Sequence, residues 1–88
     1  GINFCLAQQF HGLEARMEAA YADVLARLPE EDEVNMRAGH LAWITYRQMM
    51  CDVEAGMMRG GSGEPMLRGA CMVRITEQRL QELQEVWR

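Results

Sequence analysis

The residues of this 88-residue chain that could do chemistry are its histidines, cysteines and carboxylates, and their spacing tests each idea. His11, Glu14 and Glu18 follow one another at helical intervals, so on a helix they share a face. An imidazole beside two carboxylates is a set that can ligate a divalent cation. His40 does not complete it. If the chain reverses near residue 29 or 30, His40 lies opposite residue 19 or so, which is ~12 Å along the axis from His11 at 1.5 Å per residue. The two histidines therefore cannot share a metal, and a solvated helix face is the better reading of His11, Glu14 and Glu18. No nucleophile-base pair or phosphate-binding glycine loop is present, so neither an enzyme nor a metal or other cofactor is expected.

The cysteines point elsewhere. Cys51 and Cys71 stand about two turns either side of the glycine-rich run Gly60-Gly61-Ser62-Gly63. Antiparallel helices joined there bring both thiols side by side, which predicts a disulfide rather than two unconnected buried cysteines. Closing a loop of about 20 residues stabilises a fold by roughly 3 kcal/mol in the chain-entropy account. That is a large share of a small domain's stability. The bridge also predicts an oxidising compartment. Cys5 is left over, either free or paired with a thiol outside these residues or in a second copy.

Helical periodicity supplies the elements that must position these groups. Leu6, Phe10, Leu13, Met17, Ala20, Val24 and Leu28 trace one face of a first helix, and Pro29 stops it by pushing Leu28 out of the α region. A second helix starts at Pro29 or just after, with Glu30, Glu31, Asp32 and Glu33 against the positive end of its dipole. Its expected seam is Val34, Leu41, Ile44, Gln48, Cys51, Ala55 and Met58, with a second stripe through Ala38, Ala42, Thr45, Met49 and Val53. Two stripes predict burial on two sides, placing this helix between the others. The glycines close it, and Pro65 opens a third helix with Leu67, Cys71, Ile75, Leu80, Leu83 and Trp87 inward. The expected fold is all-α, a three-helix antiparallel bundle or hairpin stapled by a disulfide, with residues 1–88 as a single domain.

Composition narrows the function. The net charge of −4 resides in Glu30 to Glu33, the rest of the chain nearly balancing. A nucleic-acid binder carries a basic stripe instead, so that class is excluded. No apolar run approaches the roughly 18 residues that span a bilayer. No leader is visible at Gly1, which leaves a cytosolic chain or a mature exported one. Trp43 and Arg47 stand one helical turn apart, so the guanidinium can lie over the indole, and Arg47 and Arg79 are candidates for a polar network between the second and third helices. Trp43, Tyr46 and Arg47 are also residue types that anchor protein interfaces. The eight methionines are read mainly as core filling, with Met50 and Met57 nearer the surface.

Ala42-Trp43, Tyr46-Arg47, Cys51, Gly60-Gly61-Ser62, Pro65-Met66, Cys71, Ile75-Thr76, Arg79 and Glu82-Leu83 together resemble the N-terminal domain of the LprI-type lysozyme inhibitors, a group of small exported bacterial helical proteins. Ile2 to Cys5 and Tyr21 to Leu28 resemble that family's first helix. The family tends to have Gln where His40 stands and Asp where Gln48 stands, and another cysteine upstream of Cys5. The resemblance implies a periplasmic or secreted binding protein inhibiting a basic lysozyme-like or other peptidoglycan-active enzyme. The alternative is a non-inhibitory interaction or envelope-structural module. Candidate partner-binding residues are Trp43, Tyr46, Arg47, the acidic Glu30, Glu31, Asp32 and Glu33, and the hinge residues Arg59, Ser62 and Glu64. Cys5 offers a route to a homodimer.

Overall fold

The computed structural model describes residues 1–87, and each helix begins and ends where local chemistry dictates. Helix α1 spans Ile2–Arg27. It stops at Leu28, held in an extended conformation (φ −73°, ψ 151°) ahead of Pro29. Helix α2 spans Glu30–Ala55, with Pro29 at its N-cap and all four acids in its first turn. A single 3-10 turn, Gly56–Met58, leads into the reversal, and α3 spans Gly63–Val86. Gly60 takes φ +80° at that reversal, a left-handed conformation that side-chain-bearing residues avoid.

The apolar stripe of α1 packs as its periodicity predicts, with Leu13, Met17 and Val24 buried and Leu6, Phe10, Ala20 and Leu28 packed around them. From α3 come Val73, Leu80 and Leu83, completing one apolar cluster. Helix α3 approaches both of the others closely, whereas α1 and α2 run further apart. Where α1 meets α3, Gly69 allows the approach, since a Cβ there would sit 3.3 Å from Leu6 Cβ.

Helix α2 departs from expectation. Its inward residues are His40, Arg47, Cys51 and Ala55, flanked by half-buried Met36, Trp43, Ile44 and Glu54. The proposed second stripe, Ala38, Ala42, Thr45, Met49 and Val53, faces solvent, as do Val34, Leu41, Gln48 and Met58 of the proposed seam. So α2 is not the helix between the other two. The reason is that two inward positions carry polar side chains, which an apolar-period reading passes over.

Cys51 and Cys71 form the disulfide, with Cα atoms 5.4 Å apart and both residues fully buried. Each lies two turns or so from the reversal, so the bridge fixes α3 against α2 at the end where the hairpin turns.

Candidate functional site

A layer of polar and aromatic side chains fills the wider gap between α1 and α2. Arg47 is its centre, 5% exposed. Its Nη1 donates to the Glu14 carboxylate on α1 and, at 2.9 Å, to Thr76 Oγ1 on α3. Its guanidinium carbon lies 4.7 Å from the Trp43 ring centre and 5.2 Å from that of Phe10. Three helices are thus tied through one cation, by charge-assisted hydrogen bonds and by attraction to two ring faces.

Two turns towards the helix N-terminus, His40 repeats the arrangement. Its Nε2 donates to the Glu18 carboxylate at 3.0 Å, and its ring stacks on Tyr21 with centroids 3.7 Å apart and planes within 9°. Trp43 lies beyond it, at 6.1 Å. Glu14 and Glu18 therefore do not form a solvated face with His11; they turn towards α2. The exposed His11 stays apart from them, near Phe10. Among the described residues no three His, Cys, Asp or Glu side chains gather to hold a metal.

Arg79 ion-pairs with Glu82 on its own helix, and its guanidinium lies 6.0 Å from the Trp43 ring and 5.7 Å from that of Trp87. It reaches α2 through the indole, while Arg47 finds its acid on α1. The buried His40 Nδ1, Arg47 Nε and Arg79 Nε have no hydrogen-bond partner among protein atoms. Leaving such groups unsatisfied is expensive, which makes this layer a place of specific geometry.

Of the candidate partner-binding residues, Arg47 is enclosed and Trp43 is half-buried against the core, so neither presents its side chain freely. Tyr46 is 55% exposed, and with the edge of Trp43 it lines a small pocket that Ile75, Gln78, Arg79 and Glu82 complete. The hinge is tied down at several points. Glu64 accepts a hydrogen bond from the Gly60 N–H at 3.2 Å, and the Arg59 guanidinium folds back over Gly56. Ser62 is exposed.

The acids sort by position. At the α1–α2 turn a cleft of about 540 Å³ opens, floored by Tyr21, Leu25 and Leu28 and rimmed by Glu18, Glu30, Glu33 and Arg37. Glu33 pairs with Arg37 at 3.0 Å and Glu18 with His40. Among the described residues Glu30, Glu31 and Asp32 have no ion-pair partner, and of these Glu30 lines the cleft while Glu31 and Asp32 do not. The lining sets three carboxylates against one guanidinium, so the mouth of the cleft is acidic. Periodicity alone could not find this cleft. The sequence signal that bears on it is the i, i+4 pair Glu14 and Glu18 on the flank of the α1 stripe, answering His40 and Arg47 two turns apart on α2.

Fold and site together define a small three-helix fold, stapled by a disulfide, with Arg47 and His40 paired to acids across its interior and with Glu18, Glu30 and Glu33 on the rim of an open cleft. The chain belongs to the lysozyme inhibitor LprI family, whose profile matches residues 1–83. It is also similar to an uncharacterised protein of Rhizobium meliloti (strain 1021), 29% identical over an alignment 98 positions long that covers 97% of this chain and 70% of the relative. No solved structure matches it.

Proposed function

We propose that this chain is a single-domain binding protein of the periplasm or the cell exterior, and that it inhibits a basic lysozyme-like or other peptidoglycan-active enzyme. Membership of the lysozyme inhibitor LprI family carries this reading. The acid-mouthed cleft supports it, because an apolar floor beneath carboxylates suits the stem and head of a partner's Arg or Lys. Opposite charge also speeds encounter with a basic protein. The disulfide supports an exported location, since such bridges persist in oxidising compartments.

The test titrates the purified chain into lysozymes of several types and follows cell-wall lysis. Inhibition is expected to weaken with added salt and to be lost in a variant neutralised at Glu30, Glu31, Asp32 and Glu33. No inhibition at micromolar excess sinks the proposal for those enzymes.

A second reading, an interaction or envelope-structural module without inhibitory role, is favoured by exposed Tyr46 and its adjoining pocket. Under it, Tyr46→Ala abolishes capture of a defined envelope partner while the acid-neutralised chain retains it. Under the inhibitor reading the reverse holds.

A further inference from the structure

We infer that the outward face of α2 is a self-association surface on which a second copy of this chain packs antiparallel. Val34, Ala38, Leu41, Ala42, Thr45, Met49 and Val53 form an exposed apolar band on the side of α2 away from the core. Val34, Leu41, Met49 and Val53 are each at least 63% exposed. Between Val34 and Val53 the charged side chains are Arg47, which is buried, Arg37, which Glu33 neutralises, and Asp52, which Arg68 neutralises at 3.2 Å. An outer helix face normally carries the helix's charges, so this band is a surface prepared for covering.

Charge complementarity selects a second copy as its occupant. Glu30, Glu31 and Asp32 stand unpaired at the start of α2, and Arg59 stands unpaired just beyond its end, among the described residues. Antiparallel packing about a two-fold axis between Trp43 and Ile44 sets Val34 against Val53 of the second copy, Ala38 against Met49, and Ala42 against Thr45. The same register sets Glu31 against Gly56 of the second copy, and the Arg59 guanidinium already lies over Gly56. Each end of the dimer then joins an orphan carboxylate to an orphan guanidinium. Small residues in the middle and larger ones outside let the helices approach closely, and a two-fold axis makes every such contact twice.

The band is roughly 30 Å long and about 10 Å wide, or about 300 Å² per copy. That is well below the ~800 Å² per partner of a standard interface, so a weak dimer is expected, with a dissociation constant on the order of 100 µM. The apolar band includes neither Cys5 nor any residue lining the cleft, while Glu31 at its end belongs to the acidic turn that also supplies Glu30 and Glu33 to the cleft.

The experiment is sedimentation equilibrium of the full chain up to about 1 mM, with the disulfide intact. Wild type and Cys5→Ser should show the same monomer–dimer equilibrium. Met49→Glu should raise the dissociation constant at least about tenfold, and its unchanged circular dichroism will show that it folds. Arg59→Glu should weaken the dimer, and adding Glu31→Arg to it should restore it. A chain monomeric at the highest concentration, a dimer lost in Cys5→Ser, or a dimer that tolerates Met49→Glu overturns the inference. So does a weakened Arg59→Glu chain that Glu31→Arg fails to rescue, because the register then has no basis.

Discussion

Removing the two partners of the central ion pair should cost very different amounts. Glu14→Ala leaves the Arg47 side chain, 7% exposed, inside the fold with no counter-charge. Truncating one partner of a buried pair costs about 3–5 kcal/mol. The lower end applies, because Trp43 and Phe10 still face the cation and Thr76 Oγ1 still accepts from it. Arg47→Met is the milder change. Methionine refills the stem's volume, the freed Glu14, 26% exposed, can turn to water, and the Thr76 hydroxyl can bond back to its own helix. A cost of about 1–2 kcal/mol follows from the lost hydrogen bonds.

The double variant Glu14→Leu with Arg47→Met removes both charges and should lie within about 1 kcal/mol of wild type or above it, as apolar replacements of buried pairs do. Urea melts followed by circular dichroism, with the disulfide intact, measure all three. At ~4–8 °C per kcal/mol for a chain of this length, Glu14→Ala should melt roughly 12–24 °C below wild type. The reasoning fails if Glu14→Ala costs less than Arg47→Met, or if the double variant costs the sum of separate losses at the two positions.

Four further outcomes follow from local changes. Cys51→Ser with Cys71→Ser should lower stability by about 3 kcal/mol, read as a lower urea midpoint with Cys5→Ser as the control background. Gly60→Ala should destabilise by about 1–2 kcal/mol because a side chain meets φ +80° there. In contrast Gly39→Ala, helical with open space around it, should stabilise by about 0.5–1 kcal/mol. Leu83→Ala, at 1% exposure in the apolar cluster, should cost about 2–5 kcal/mol in the same melts.

Much of this fold is legible in the sequence because α1 and α3 bury apolar residues at helical period. Leu13, Met17 and Val24 sit where the stripe puts them, and the symmetric placement of Cys51 and Cys71 about the glycines anticipates their bridge. Thr76, fully buried, escapes that reading because its hydroxyl is needed by Arg47. On α2 the period itself misleads. Two helical stripes are present, one outward and apolar, one inward and carrying His40 and Arg47. Hydrophobicity reads both sides of the helix as buried, and only the partners supplied by α1 and α3 show which side is inward. The candidate site was legible to the extent of its acids; that Trp43 and Arg47 serve the interior depends on Glu14, about four helical turns before the α1–α2 corner, being aimed at them.

The same inward polar layer explains why a cleft exists. Apolar side chains at positions 40 and 47 would let α1 and α2 close as α1 and α3 do at Gly69 and Leu6. Instead the stacked rings of Tyr21 and His40, and the guanidinium held between Trp43 and Phe10, prop the two helices apart. Towards the Pro29 corner that separation has no side chain to fill it, and the gap opens to water between Leu25 and Leu28 on one wall and Glu30 and Glu33 on the other. The cost of burying a cation and an imidazole is therefore tied to the shape of the surface. His40→Leu should shrink the cleft as α1 and α2 settle together, and it should weaken any ligand of the cleft while leaving the surface charge of Glu30, Glu31 and Asp32 untouched. A variant that keeps full affinity with His40 replaced would separate the two properties and leave charge as the determinant of binding.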